Sequence, residues 1–192
     1  SINIDGVAKN YTTSDGVIFL GGKNVVGLTG SVSGATSFSD LMEIRNETDG
    51  KIFIYTQNNS ASEYSIGMSG NYTKLTNNGG IYLGIIPGTT VISDTVSGFT
   101  GINSNTDSSK NLNFIGMYGI GTKLENYSII SDRPTNTLTN NSEKGIGMYG
   151  KKSNSSGSIL NNGTINIGLE GIGILGEGVS TSDRMSVTNT GL

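Results

Sequence analysis

The stretch Gly145-Ile146-Gly147-Met148-Tyr149-Gly150 decides the fold, because its last five residues follow a pattern that returns along the chain. The pattern reads apolar-Gly-apolar-x-Gly, and its five full copies occupy residues 26–30, 66–70, 115–119, 146–150 and 172–176. A degenerate copy, residues 98–101, falls in the long gap between the second and third copies. Self-similarity of this kind indicates a repeat architecture, in which each unit buries its apolar face against its neighbours.

An Asn-x-Gly element follows the pentads. It occurs in residues 75–81, 160–165 and 187–192, while 44–52 is a longer variant and 124–129 a shorter one. A third apolar cluster, such as residues 165–167, then precedes the next pentad. The last three full pentads begin 31 and 26 residues apart. Each repeat therefore holds three short strands, which describes one coil of a three-sided solenoid.

These elements predict an all-β fold, a right-handed parallel β-helix with three sides. Helical periodicity is absent, and each of the 30 glycines would cost about 1 kcal/mol at an interior helix position. We expect a single β-helix segment over residues 1–192. Residues 2–4 match the third apolar cluster, and residues 187–192 begin a further Asn-x-Gly element. The sequence thus predicts a fragment of a longer array that begins and ends within a repeat.

Alternation along each pentad strand assigns its residues to two faces. It predicts that the two apolar positions of the later pentads form one interior column: Ile66, Met68, Ile115, Met117, Ile146, Met148, Ile172 and Ile174. The fourth position then points outward and holds Thr29, Ser69, Tyr118, Tyr149 and Leu175. We expect the rings of Tyr118 and Tyr149 to lie on neighbouring coils and to be offset-stacked.

The asparagines of the second element have a structural interpretation. Asn161 and Asn189 occupy equivalent places, so their side chains are expected to form a ladder of amide hydrogen bonds. Asparagine also tolerates left-handed backbone angles at a sharp corner. Gly163, two residues after Asn161, is expected to supply the positive φ that the corner needs.

Composition argues against several classes of function. The net charge is −3 without a basic stripe, so no nucleic-acid partner is expected. Cysteine and histidine are absent, which excludes disulfides, thiolate metal sites and catalytic triads that use histidine. The 15 acidic residues are scattered and share no repeat register. We therefore expect no catalytic residues, no cofactor and no metal site.

Residues 145–150 and 162–165 carry a resemblance to a known family. Their Gly-Ile-Gly-Met-Tyr and Asn-x-Gly-Thr-Ile elements resemble the passenger domains of fusobacterial type V autotransporter adhesins. The resemblance implies a β-helix displayed at the cell surface and anchored to the outer membrane by a β-barrel encoded beyond Leu192. It also implies adhesion, with a protein or glycan on host cells or other bacteria as the partner. The alternative is a secreted β-helical enzyme that degrades polysaccharide.

A possible binding surface follows from the outward positions and the segment after the fourth pentad. It comprises Tyr118, Tyr149, Lys151, Lys152 and Asn154. An alternative interpretation of the tyrosines is surface stacking that stabilises adjacent coils. The segments after the pentads also vary in length. Insertions in solenoids map to one face that often binds partners, although any solenoid edge tolerates insertions.

The scattered acids predict that the chain has no hydrolase or lyase activity. A panel of polysaccharides incubated with the purified protein should show no reducing ends or unsaturated products above a blank. Turnover that disappears when one specific acidic residue is replaced would contradict this prediction and support the enzyme alternative.

Overall fold

The computed structural model describes residues 7–10, 17–21, 24–35, 42–55, 64–83, 113–132, 144–154, 156–167 and 171–192. Within these ranges the regular secondary structure consists of β-strands, and every hydrogen-bonded pair of strands is parallel. The strands sort into three sheets, here called A, B and C.

Each sheet takes every third strand of the chain. Sheet A contains β1 (Val7–Asn10), β4 (Glu43–Asn46), β7 (Lys74–Asn77), β10 (Lys123–Asn126), β13 (Ser158–Asn161) and β16 (Ser186–Asn189). Sheet B contains β2 (Val17–Gly21), β5 (Lys51–Tyr55), β8 (Gly80–Leu83), β11 (Ile129–Ser131) and β14 (Thr164–Asn166). Sheet C contains β3 (Val26–Ser31), β6 (Ser65–Asn71), β9 (Asn113–Ile120), β12 (Lys144–Lys151) and β15 (Ile172–Glu177). This order confirms a three-sided parallel β-solenoid.

The five full pentads form sheet C in the register that the sequence predicts. Met68 pairs with Met117, Met117 with Met148, and Met148 with Ile174. Strand β6 pairs directly with β9, although the two strands are separated by residues 72–112 in the sequence. The degenerate copy at residues 98–101 lies outside the described residues.

The third pentad position faces the interior, but the first does not. Met68, Met117 and Met148 are fully buried in the main hydrophobic cluster, and Ile174 packs against it, as predicted. The isoleucines two residues earlier lie outside that cluster: Ile66, Ile115, Ile146 and Ile172. Ile115 and Ile146 are nevertheless buried, at 3% and 9% exposure, whereas Ile66 is half-buried and Ile172 is 44% exposed. Burial is therefore confirmed for Ile115 and Ile146, but the single column of eight residues is not, because the first pentad position does not join the main cluster.

The reason lies in the glycine between the two apolar residues. A Cβ on Gly67 would lie 2.6 Å from Cγ2 of Ile81 in the core, so Gly67 faces inward, as Met68 does. Two consecutive inward residues break the alternation, as in a bulge, and leave Ile66 on the other face. The same Cβ would lie 2.6 Å from the carbonyl oxygen of Gly116 in the next coil. A glycine here lets adjacent coils approach closely, which a simple alternation rule overlooks.

Five asparagines at the end of successive sheet A strands form a continuous ladder. The side-chain amide of Asn46 donates to Oδ1 of Asn77 at 2.8 Å, and that of Asn77 donates to Asn126 at 2.7 Å. The ladder continues from Asn126 to Asn161 and from Asn161 to Asn189, each at 2.7 Å. The predicted bond between Asn161 and Asn189 is confirmed, and the ladder extends through four inter-coil steps.

The glycines that follow these asparagines serve close packing rather than a left-handed backbone. Gly163 and Gly79 are not among the positive-φ glycines of the described residues, nor are the ladder asparagines among the positive-φ residues. A Cβ on Gly163 would instead lie 2.0 Å from the carbonyl oxygen of Ser128 in the preceding coil. The expected positive φ was wrong, because the corner needs space rather than a special backbone conformation.

The ladder predicts a sharp effect of replacing its second member. Asn77→Ala removes the only ladder donor to Asn126 and should destabilise the protein by about 1–3 kcal/mol, because a buried carbonyl loses its partner. Asn162→Ala, at an exposed neighbour of a ladder asparagine, should change stability much less. Chemical denaturation of the two variants measures the difference, and equal losses would contradict the ladder's role.

Candidate binding surface

The outward position of the pentads forms a continuous row across sheet C. Register pairs Thr29 with Ser69, Ser69 with Tyr118, Tyr118 with Tyr149, and Tyr149 with Leu175. The two tyrosines and Leu175 are half-buried. The predicted row is therefore present, and its last three members form an apolar strip on the outer face.

The two tyrosines are in contact, as predicted, but in a different geometry. Their ring centroids lie 5.2 Å apart and their planes are inclined by 56°, so the rings are tilted rather than offset-stacked. The hydroxyl of Tyr149 donates to Oε1 of Glu177 at 2.6 Å, which holds that ring toward the next coil. Tilted aromatic pairs are also favourable, because the ring edge meets the negative face of its neighbour.

Lys151 joins this strip through Glu177. Its Nζ lies 3.2 Å from Oε2 of Glu177 and 5.4 Å from the ring centroid of Tyr149. The hydrogen bond from Tyr149, together with Lys151, lowers the pKa of Glu177, and hydrogen bonds to Tyr149 and Glu177 raise the pKa of Lys151. Both groups are charged at neutral pH. Such a solvent-exposed ion pair adds little stability, but it fixes the orientation of the Tyr149 hydroxyl.

Lys152 points to a different part of the surface. Its Nζ donates to the backbone carbonyl of Arg184 at 3.0 Å and forms an ion pair with the carboxylate of Asp183. The charge of Lys152 is thus paired with residues of the segment 178–185. The structure does not bring Lys152 together with the tyrosines.

Asn154 lies near a residue that the sequence interpretation did not include. Its side-chain amide donates to the hydroxyl of Tyr72 at 3.4 Å, and that hydroxyl lies 2.7 Å from Oγ of Ser153. Tyr72 is two coils away from Asn154 along the solenoid axis. The sequence signal that could have identified Tyr72 is the short Tyr72-Thr73 connection between β6 and β7. A side chain in a connection of two residues can extend along the edge toward the following coils.

The backbone of Tyr72 adopts a conformation that usually belongs to glycine. Its φ is +54°, whereas the equivalent corner of the next coil has Gly121 at +59°. A left-handed backbone at a bulky residue costs on the order of 1–3 kcal/mol and persists only where surrounding contacts hold it. A Cβ on Gly121 would lie 2.5 Å from Cδ1 and Cε1 of Tyr72, so the ring rests directly over that glycine.

The segments after the pentad strands stack along a single edge, between sheets C and A. Backbone amides join them from coil to coil: Tyr72 donates to Ile120 at 2.9 Å and Gly121 donates to Lys151 at 2.8 Å. Lys152 donates to Glu177 in the same way at 2.8 Å. The described connections between sheets C and A therefore lie on one edge, next to the tyrosine strip. Their role in binding stays a prediction.

The acidic residues of sheet A form ion pairs. Nζ of Lys74 lies 3.5 Å from Glu43 and 3.1 Å from Glu125 on the outer face. Burial alone raises the pKa of Glu43, but hydrogen bonds from Arg45 and Thr76 and the charge of Lys74 lower it on balance. A general acid needs a raised pKa. This arrangement therefore favours an ion-pair network over an acid–base pair.

In the described part of the chain, no group of three or more histidine, cysteine, aspartate or glutamate residues is placed to hold a metal ion. The same residues contain no helix with the length and hydrophobicity that a membrane span requires. Comparison with protein-family models, curated proteins and solved structures finds no match to this chain.

The Tyr149–Glu177 hydrogen bond predicts a measurable change in titration. Tyr149→Phe removes the hydroxyl that contributes most to lowering the pKa of Glu177, so that pKa should rise toward its ordinary value. NMR titration of the Glu177 side-chain carboxyl carbon measures this shift. Tyr118→Phe is the matched control and should leave the Glu177 pKa unchanged. An equal effect of both variants would contradict the assigned contact.

Proposed function

We propose that this chain is a surface-displayed adhesion segment of an autotransporter passenger. In this proposal it binds a protein or glycan on host cells or on other bacteria. The observation that carries the proposal is the outward strip of Tyr118, Tyr149 and Leu175 on sheet C. Exposed tyrosines supply large, rigid contact area together with a polar group, and they are enriched where proteins bind partners.

The solenoid is well suited to present such a surface. Equivalent residues of adjacent coils lie about 4.8 Å apart, the spacing of neighbouring strands. A ligand that spans several coils therefore meets a regular array of side chains on a scaffold whose interior ladder fixes the register. This rigidity lowers the ordering cost of binding, because the surface is organised before the partner arrives.

Display outside the cell is part of the same proposal. The repeat style of residues 145–150 and 162–165 supports an autotransporter passenger anchored to the outer membrane. The absence of cysteine also suits a chain that crosses an oxidising periplasm unfolded.

Cell adhesion provides the test, with stability as the internal reference. Labelled wild-type protein should bind to epithelial cells or to other bacteria in a saturable manner. The double variant Tyr118→Ser/Tyr149→Ser should bind at least about tenfold more weakly than the wild type, the loss expected when interface hot spots are removed. Its melting temperature should change only slightly, because both side chains are half-buried on the outer face.

Tyr127→Ser is the matched control, since Tyr127 is an exposed tyrosine at the corner between β10 of sheet A and β11 of sheet B, away from the edge between sheets C and A. It should bind as the wild type does. Saturable binding that both tyrosine variants retain would show that the strip stabilises coils and is not the contact surface. Absence of saturable binding by the wild type to either kind of cell would refute the adhesion proposal.

A further inference from the structure

The described connections along the edge between sheets C and A differ in length. The connections β6–β7 and β9–β10 consist only of Tyr72-Thr73 and Gly121-Thr122. The next two connections are longer and occupy residues 152–157 and 178–185. Two short corners are therefore followed along this edge by a longer segment. We call the surface formed by Tyr72, Gly121, Ser153 and Asn154 the edge notch.

An aromatic ring forms the floor of the edge notch. The ring of Tyr72 rests over Gly121, which has no side chain to displace it, and its hydroxyl is held by Ser153 at 2.7 Å. Tyr72 is half-buried, so part of the residue remains accessible to solvent. The ring is thus supported below and fixed at its hydroxyl end, as a stacking surface requires.

The rim of the notch is polar and uncharged. Asn154 is exposed and uses one amide hydrogen on Tyr72, which leaves a second donor and the carbonyl acceptor. On the other side, the amide of Asn71 lies 3.4 Å from Oγ of Ser31. The adjacent cation, Lys152, is paired with Asp183 and the carbonyl of Arg184. The notch therefore offers amides and hydroxyls rather than a net charge.

Two unusual backbone conformations meet at this point. Tyr72 and Asn154 have φ values of +54° and +47°, and their side chains are hydrogen-bonded to each other. Gly121 shows that the corner accepts glycine at the position where Tyr72 stands one coil earlier. A strained tyrosine at a corner that glycine would fit points to a use for the ring itself.

We propose that the edge notch binds a neutral sugar residue. The apolar C–H face of the sugar stacks on the ring of Tyr72, and the sugar hydroxyls bond to the free amide groups of Asn154. This inference rests on the proposed adhesive function, and it specifies a neutral sugar as the partner bound at this edge. An anionic ligand fits poorly, because the neighbouring Lys152 is already paired. A protein partner needs an interface of roughly 800 Å² on each side, far more than one ring and one corner supply.

The test uses the whole chain and neoglycoproteins that carry terminal galactose, glucose, mannose or their N-acetylated forms. Sialylated and sulfated neoglycoproteins and the bare carrier complete the panel, and biolayer interferometry measures binding. Wild-type protein should bind at least one neutral probe and not the bare carrier. Tyr72→Phe keeps the ring but loses the hydroxyl contacts with Ser153 and Asn154, so it should retain more binding than Tyr72→Gly and less than the wild type. Tyr72→Gly, which places at this corner the residue found at position 121 of the next coil, should bind at least about tenfold more weakly than the wild type.

Two further variants separate binding from folding. Asn154→Ala removes an exposed amide without altering the ring and should also weaken binding to the neutral probe. Tyr118→Ser/Tyr149→Ser, outside the notch, should retain it. Melting temperatures of all variants are measured alongside. A purely structural Tyr72 would lower the melting temperature in Tyr72→Gly while Asn154→Ala kept full binding, and that result overturns the inference.

Other outcomes decide between this inference and the adhesion proposal. Failure of the wild type to bind any neutral probe, or a preference for the anionic probes, overturns the sugar site. If the wild type and Tyr72→Gly adhere equally to cells in that case, the adhesion proposal stands without it. If neutral sugar binding depends on Tyr72 but the chain does not adhere to cells, the notch stands and the adhesion proposal fails.

Discussion

The in-register contact between successive coils is the constraint on which the rest of the structure depends. Two features impose it from the inside. The asparagine ladder joins sheet A strands through buried and part-buried amide hydrogen bonds of 2.7–2.8 Å, which a shift of register would break. At the second pentad position, a Cβ on Gly27, Gly67, Gly116 or Gly147 would lie 2.5–2.6 Å from a carbonyl oxygen of the next coil, so a side chain there would collide with its backbone. Polar pairing and close packing thus select the same alignment of coils.

The outer surface inherits its order from this alignment. Because Tyr118, Tyr149 and Leu175 occupy the same position of the repeat, in-register parallel pairing is enough to bring them into a row. The same stacking places the described connections between sheets C and A on one edge, where their lengths differ. In such a scaffold, functional side chains are therefore expected at outward positions and in connections, which interior packing does not constrain. The tyrosine strip and the edge notch are neighbouring examples of these positions.

Much of this architecture could be predicted from the sequence, because it repeats. The pentads and the Asn-x-Gly elements predicted three strands per coil, the methionine column, the asparagine ladder and the tyrosine pair. The inward glycine was missed, since alternation rules assume a regular strand and Gly67 breaks it. Tyr72 was missed for another reason: its contact with Ser153 spans 81 residues and depends on two short corners between them. Repeats reveal equivalent positions, but not contacts that cross from one position to another.

Hydrogen exchange of the asparagine side chains, followed by NMR, tests the register of the coils most directly. The amide protons of Asn46, Asn77 and Asn126 are buried in the ladder, whereas Asn162 is exposed beside it. The ladder protons should exchange roughly a thousandfold or more slowly than those of Asn162, because only opening of several coils releases them. Exchange of all four side chains at similar rates would contradict the ladder and the stacking that depends on it.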